Sequence, residues 1–218
     1  GLYCQPDKKK GRGQKICQTA CKKFATEKNI HVFEPKSLKN DFVFEEFKDL
    51  KPDLVLVAAY GKIIPERFLK VPSFSTYNIH SSLLPELRGA APINWAIVRG
   101  YKKTGITIFK IAKKLDSGDM VYQKEVEIEK NETAQDLHDK LAQISGSIIC
   151  KVLDEKKKKK IKLTPQDESK VTFAPIIKKS DRKIDFSLTG LQIFNLIRGF
   201  YPWPGTYAFM NNKIFKII

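Results

Sequence analysis

The chain of 218 residues has no apolar run that approaches the roughly 18 residues of a membrane-spanning helix. Cysteine and histidine are scarce. The three histidines lie far apart, and no metal-ligand spacing relates the four cysteines, which are Cys4, Cys17, Cys21 and Cys150. A metal site is therefore not expected, and the cysteines are interpreted as reduced thiols. The first residues do not form a signal peptide, which predicts a cytoplasmic location.

Acidic residues are also few, because 24 Asp and Glu stand against 40 Lys and Arg, which leaves a formal net charge of +16. Such an excess favours polyanionic partners and raises the rate at which they are encountered. A lysine-rich solvated surface would explain the same composition, and the five lysines at 156–160 could simply end a helix. Charge alone leaves both interpretations open.

Hydrophobic runs alternate with helical patterns through the first two thirds of the chain. The continuous apolar run at 53–60 is typical of a strand that is covered on both faces of a sheet. Further strands are predicted at 74–79, 104–111 and 120–128, and the clearest helix at 133–153. This alternation predicts an α/β fold, with a Rossmann-like, mainly parallel sheet and helices on both of its faces.

The last third of the chain has a different pattern. Lysines and turn residues dominate 156–180, which predicts a linker. Residues 181–218 then contain a helix and two short strands around Asn211 and Asn212, which indicates the start of a small β-rich, OB-like domain. The predicted division is therefore a catalytic domain at 1–155, the linker, and an incomplete second domain. Because the chain begins with Gly1 and ends in a strand, it is interpreted as a fragment.

Asn78 and His80 lie two residues apart at the end of a predicted strand, so their side chains project from the same face. An amide donor beside a titratable ring suits stabilisation of an oxyanion and transfer of a proton. A buried structural histidine and an asparagine that ends the strand would explain the pair as well. Asp116, in Asp-Ser-Gly, could likewise be only a turn residue.

A longer motif surrounds this pair. Residues 78–92 read Asn-x-His-x-Ser-Leu-Leu-Pro-x-x-Arg-Gly-Ala-Ala-Pro, and Leu-Asp-x-Gly-Asp follows at 115–119. Together these segments resemble the folate-dependent formyltransferase family, and the resemblance extends over the whole chain. It implies transfer of a formyl group from 10-formyltetrahydrofolate to an amine through a tetrahedral oxyanion, with no metal required.

The resemblance also implies the roles of individual residues. Asn78, His80 and Asp116 match the catalytic set, in which Asn78 and His80 stabilise the oxyanion. Asp116 either holds His80 in its charge state or relays the proton that the amine loses. A loop that contacts the folate is matched by Ser82, Leu83, Leu84 and Pro85, although the two leucines could equally be ordinary core.

A basic loop at 5–15 resembles the loop that enters the acceptor arm of tRNA in the branch of the family that formylates initiator Met-tRNA. Arg12 matches the arginine on which that contact relies, and a guanidinium can bind phosphate in a bidentate manner or stack on a base. Lys15 and the other lysines of the loop would add electrostatic attraction. The resemblance thus implies initiator Met-tRNA as a partner, and the protein is expected to be a monomer that does not bind membranes.

The chain departs from the family pattern in places. The family's first strand and helix are expected to be missing ahead of Gly1, and Glu86-Leu87 and Lys114 replace the usual residues. The nearest alternatives are a formyltransferase that acts on an amino sugar nucleotide, a purine precursor or another small amine, and a 10-formyltetrahydrofolate hydrolase. A non-catalytic RNA-binding protein is the alternative of another class, but it would not need the three catalytic residues.

Overall fold

The computed structural model describes residues 1–10, 13–157 and 161–218. The chain divides into two compact units, residues 1–76 and residues 77–218. Within the described ranges, no helix is both long and apolar enough to cross a membrane.

The first unit alternates short strands and helices, as the sequence predicts. Its elements are β1 (Leu2–Tyr3), β2 (Lys8–Lys10), β3 (Lys15–Cys17), α1 (Ala20–Glu27), β4 (Val32–Phe33), α2 (Asp41–Asp49), β5 (Leu54–Ala58) and α3 (Glu66–Leu69). Strands β1 and β4 pair in parallel, whereas β2 and β3 form an antiparallel hairpin that carries the basic loop. The hydroxyl of Thr19 caps α1 by accepting a hydrogen bond from the Lys22 amide at 3.2 Å.

The core of the first unit is aromatic. Phe47 and Phe68 pack beside Leu38, with the two ring centroids 5.0 Å apart. A cavity of about 610 Å³ borders this core, and residues of both β1 and β5 line it. Leu56, in the middle of β5, is 39% exposed. Strand β5 is therefore less buried than the continuous apolar run at 53–60 predicts, because the cavity lies along it.

The second unit contains the longer elements. They are the end of β6 (Ser75–His80), β7 (Arg88–Gly89), α4 (Pro92–Val98), β8 (Lys103–Lys110), β9 (Met120–Glu127), α5 (Ala134–Lys157), β10 (Phe173–Ala174), α6 (Gly190–Gly199), β11 (Thr206–Met210) and β12 (Lys213–Ile217). Short 3₁₀ helices occur at Glu168–Lys170 and Ser180–Arg182. Strand β8 is central, because it pairs with β6 on one side and with β9 on the other.

The α/β class is confirmed, and the strand pairing is mixed. Strand β8 runs antiparallel to both β6 and β9, whereas β1 and β4 are parallel. The short connection at 111–119 explains the direction of β9, since a parallel partner would need a crossover of about a dozen residues or more. Periodicity predicts where the strands lie but not how they pair.

Helix α5 confirms the predicted amphipathic helix. Its start is capped reciprocally, because Thr133 Oγ1 accepts from the Asp136 amide at 3.2 Å and Asp136 Oδ2 accepts from the Thr133 amide at 3.0 Å. One face is buried through Leu137, Leu141, Ile148 and Val152. The other face is polar, as the helical spacing predicts.

The end of the second unit has its own small core of Ile184, Leu196, Phe200 and Ala208. Helix α6 begins with a capping box between Thr189 and Gln192. Strands β11 and β12 form the predicted antiparallel hairpin, and both residues of its turn, Asn211 and Asn212, have a positive φ. Asparagine tolerates this conformation better than most residues, which explains its use in the turn.

Candidate active site

Strand β6 brings Asn78 and His80 to the same face, as predicted. Asn78 lies opposite Phe109 of β8 and His80 lies opposite Thr107, so the two side chains are one pleat apart. His80 is buried, with 5% of its surface exposed, whereas Asn78 is partly exposed. Among residues 1–10, 13–157 and 161–218, no group forms a hydrogen bond with the Asn78 carboxamide. Its NH2 group is therefore free to donate to a bound molecule.

Both ring nitrogens of His80 face polar atoms. The Nε2 atom is 2.9 Å from the carbonyl oxygen of Leu87, and the Nδ1 atom is 3.7 Å from Oδ2 of Asp116. Because a carbonyl oxygen can only accept, the hydrogen of neutral His80 must be on Nε2. A second proton on Nδ1 would then point toward the Asp116 carboxylate. Nδ1 is therefore the ring nitrogen left without a hydrogen in the neutral form, and it faces the Asp116 carboxylate.

The loop between β8 and β9 holds Asp116 in place. Its Oδ2 atom accepts a hydrogen bond from the Gly89 amide at 2.9 Å, and its backbone has a φ of +46°. Two residues later, Gly118 passes very close to β8, because a Cβ atom there would be 1.7 Å from the carbonyl oxygen of Lys110. The motif at 115–119 therefore combines a carboxylate with the one residue type that lets its loop approach the sheet.

Thr107, which is fully buried, holds the predicted folate loop through hydrogen bonds to its backbone. Its hydroxyl donates to the Ser82 carbonyl at 2.7 Å and accepts from the Leu84 amide at 3.0 Å. Gln123 of β9 donates to the Leu84 carbonyl at 2.8 Å and to the same hydroxyl at 3.0 Å. Neither Thr107 nor Gln123 stands out in the sequence, except that Thr107 is a polar residue within a buried strand.

The four residues of this loop differ in exposure. Ser82 and Leu84 are buried, and the Ser82 hydroxyl is taken up by the Glu86 carbonyl at 2.6 Å. Leu83 and Pro85 are partly exposed. Any contact of Ser82 or Leu84 with a ligand would therefore come from the backbone, and the role of all four in binding folate stays a prediction.

Replacement of Thr107 by valine should destabilise the protein. Valine keeps the shape of the side chain but removes a hydroxyl that donates one hydrogen bond and accepts two. Two of these three bonds are to backbone groups of the loop. We expect the free energy of unfolding to fall by about 2 kcal/mol, because buried polar groups are left unsatisfied. Chemical denaturation would measure this. Thr164→Val is a control, since Thr164 is exposed and its hydroxyl has no hydrogen bond within the described ranges; an equal loss in the control would contradict the explanation.

The segment after α5 also reaches the site, which the sequence does not indicate. Strand β10 pairs in parallel with β7, and Thr172 binds the loop before β7 through its hydroxyl, 2.8 Å from the Leu87 amide. The Arg88 side chain is buried with 4% exposed and lies 2.7 Å from Oε1 of Glu168. Residues 168–174, which composition places in a linker, thus contact the loop that follows His80.

The predicted tRNA contacts lie in the first unit. Lys15 begins β3 and pairs with Lys10 in the hairpin. Arg12 lies outside the described residues, so its predicted role stays a prediction. Within the described ranges, no group of three or more His, Cys, Asp and Glu is placed to hold a metal ion.

Comparisons with known proteins identify the family to which the chain is similar. The family model described as "Formyl transferase" matches residues 1–153, and that described as "Formyl transferase, C-terminal domain" matches residues 176–218. The methionyl-tRNA formyltransferase of Caldanaerobacter subterraneus is 45% identical over 99% of this chain and 70% of its own length. That of Sulfurihydrogenibium sp. is 47% identical over the whole chain and also 70% of its own length.

Solved structures share the fold. A 4-N formyltransferase from Francisella tularensis superposes with a TM-score of 0.74 and 21% identity, over 99% of this chain and 84% of that one. HypX from Aquifex aeolicus, solved in complex with tetrahydrofolic acid, has a TM-score of 0.70 and 20% identity, over 87% of this chain and 33% of its own. At these identities the likeness supports the fold alone.

Proposed function

The chain belongs to the formyl transferase family, and from that membership we propose that it transfers the formyl group of 10-formyltetrahydrofolate to the amino group of methionine on initiator Met-tRNA. The methionyl-tRNA formyltransferases that cover the whole chain at 45–47% identity give the acceptor. One observation in the structure supports the reaction above others, namely the free carboxamide of Asn78 beside the paired His80 and Asp116.

The reaction forms a bond between the amine nitrogen and the formyl carbon and breaks the bond from that carbon to nitrogen of the folate. Negative charge develops on the formyl oxygen, where the Asn78 NH2 group would donate a hydrogen bond. The Nδ1 atom of His80, 3.7 Å from Oδ2 of Asp116, would accept the proton that the amine loses and pass it to the leaving nitrogen of the folate.

The second oxyanion donor predicted from the sequence, His80, is engaged in this structure. Its Nε2–H group donates to the Leu87 carbonyl at 2.9 Å. A direct bond from His80 to the oxyanion would require that contact to open. The geometry therefore supports Asn78 as the oxyanion donor and His80 with Asp116 as the proton acceptor.

A direct assay tests the acceptor. The protein would be incubated with labelled 10-formyltetrahydrofolate in three reactions. The first contains Met-charged initiator tRNA, the second an amino sugar nucleotide, and the third no acceptor. We expect label on the methionine of Met-tRNA. Label found only on the sugar, or released only as formate, would contradict the assignment and favour a small-amine transferase or a hydrolase.

Replacement of Arg12 by alanine should weaken binding of tRNA. A guanidinium that binds phosphate contributes a charge-assisted hydrogen bond, so we expect the KM for Met-tRNA to rise about tenfold while kcat is unchanged. Steady-state kinetics at two salt concentrations would measure this. Lys130→Ala, a change of the same charge at an exposed position, serves as the control. An unchanged KM in Arg12→Ala, or an equal rise in Lys130→Ala, would contradict a specific contact.

Several further expectations accompany this function. We propose that residues 1–155 carry the catalysis and that 181–218 begin a tRNA-binding domain, which fits the limits of the two family matches. We propose a cytoplasmic location because initiator Met-tRNA is used in translation. That the protein is a monomer stays a prediction.

A further inference from the structure

The side chain of Gln166 forms four hydrogen bonds near the site. Its Oε1 atom accepts from Nε and Nη2 of Arg88 at 3.0 and 2.7 Å. Its Nε2 atom donates to the carbonyl oxygens of Asp116 and Gly118, each at 2.8 Å. An amide side chain has two donor hydrogens and two acceptor lone pairs, so all of its capacity is used.

The two carbonyls bracket the turn that carries Asp116. This residue has a φ of +46°, a conformation that costs a residue other than glycine about 1 kcal/mol or more and persists only when neighbouring contacts hold it. The bonds from Gln166 at 116 and 118 supply such contacts on the backbone. On the side chain, the Gly89 amide supplies another at 2.9 Å.

Arg88 ties these anchors into one cluster. It directly precedes Gly89, and its buried guanidinium binds both Gln166 and Glu168, the latter at 2.7 Å. Gly89, whose amide binds the Asp116 carboxylate, directly follows Arg88 in the chain. Gln166, whose amide group binds the Asp116 carbonyl, is hydrogen-bonded to the Arg88 guanidinium. Both anchors of Asp116 are therefore linked to one buried cation. A displacement of Gln166 would release the Asp116 turn without touching His80.

We propose that Gln166 is a positioning residue, which sets the placement of the Asp116 carboxylate relative to His80 through the two backbone carbonyls. The proposal rests on the proposed function, because it concerns the same reaction. The competing explanation is that Gln166 only satisfies the buried Arg88 and has no influence on the rate.

Two substitutions separate these explanations. Gln166→Glu keeps an oxygen toward Arg88 but replaces the NH2 group by an oxygen that faces two carbonyls. Glu168→Gln weakens the partner of Arg88 and leaves the bonds of Gln166 to 116 and 118 in place. If positioning matters, only the first change affects catalysis.

The first measurement is steady-state kinetics with 10-formyltetrahydrofolate and Met-tRNA. We expect Gln166→Glu to lower kcat about tenfold or more, with both KM values changed less than about twofold, and Glu168→Gln to retain the kcat of the unsubstituted protein. An unchanged kcat in Gln166→Glu, or an equal loss in Glu168→Gln, would overturn the proposal.

The second measurement is a double-mutant comparison. A residue that acts through Asp116 has nothing left to position once that carboxylate is gone, so Gln166→Glu should lower kcat no further in an Asp116→Ala background. A purely structural residue would lower kcat by the same factor in both backgrounds, and that outcome would refute the proposal.

A readout without turnover keeps the proposal apart from the proposed function. The ¹⁵N resonance of His80 Nδ1 reports the carboxylate 3.7 Å away. We expect it to move in Gln166→Glu and in Asp116→Ala but not in Glu168→Gln. If the unsubstituted protein formylates no Met-tRNA, the function is refuted while these shifts still support positioning; a resonance unmoved by Gln166→Glu refutes the positioning itself.

Discussion

Replacement of His80 by alanine is expected to lower kcat for formyl transfer by about 10³-fold, with small changes in both KM values. The ring is buried, with 5% of the residue exposed, and it lies between the Leu87 carbonyl and the Asp116 carboxylate. Alanine removes the ring that is proposed to accept the amine proton. Single-turnover transfer of labelled formyl to Met-tRNA would measure the chemical step directly.

The chain contains a suitable control histidine. His138 lies on α5 with 61% of its side chain exposed, and among the described residues its side chain bonds only to the neighbouring Asp139. His138→Ala should retain the full rate, so a loss in that variant would point to a general effect of removing a histidine. A His80→Ala protein that folds and still transfers formyl at more than about a tenth of the normal rate would show that the proton is accepted elsewhere.

The placement of the three residues proposed to be catalytic could be predicted from the sequence because two kinds of local information agree. Strand alternation places Asn78 and His80 on one face, and the motif at 115–119 adds Asp116. The structure brings His80 and Asp116 within 3.7 Å, and no described residue forms a hydrogen bond with the carboxamide of Asn78. The hydrogen bond from His80 to Leu87 could not be predicted, since it depends on how the loop after the strand folds back.

The supports of the site were invisible for a different reason. Gln166 binds Asp116 across 50 positions of sequence, and it lies in a segment whose composition indicates a linker. No period or motif relates residues at that separation; only the tertiary course of the chain does. Thr107 is similar, because a threonine in a buried strand gives no indication of which backbone groups its hydroxyl will reach.

The burial of a strand could not be predicted from the local sequence pattern either. An apolar run of the kind at 53–60 predicts a strand covered on both faces, and β5 forms there but borders a cavity of about 610 Å³. Burial of a strand depends on what packs on it, which hydrophobicity along the strand itself does not report. The position of a strand in the sequence was therefore easier to predict than what packs against that strand.

Gly118→Ala should damage both stability and catalysis, because the structure has no room for the added methyl group. The new Cβ atom would be 1.7 Å from the Lys110 carbonyl oxygen, so the Asp116 loop or β8 must shift by more than an ångström. We expect the free energy of unfolding to fall by about 2 kcal/mol. Because Asp116 lies two residues away, kcat should fall by about 10²-fold.

Gly146→Ala provides the matched control for this prediction. Gly146 lies inside α5, and a Cβ atom there would meet nothing within 4 Å. Alanine should therefore raise the free energy of unfolding by about 0.5 to 1 kcal/mol and leave kcat unchanged, since it favours the helix and touches no neighbour. Thermal unfolding and formyl-transfer rates would be compared for both variants. If Gly118→Ala kept both its stability and its rate, the close approach of the loop to β8 would be wrong, and with it the reason for a glycine two residues from the Asp116 carboxylate.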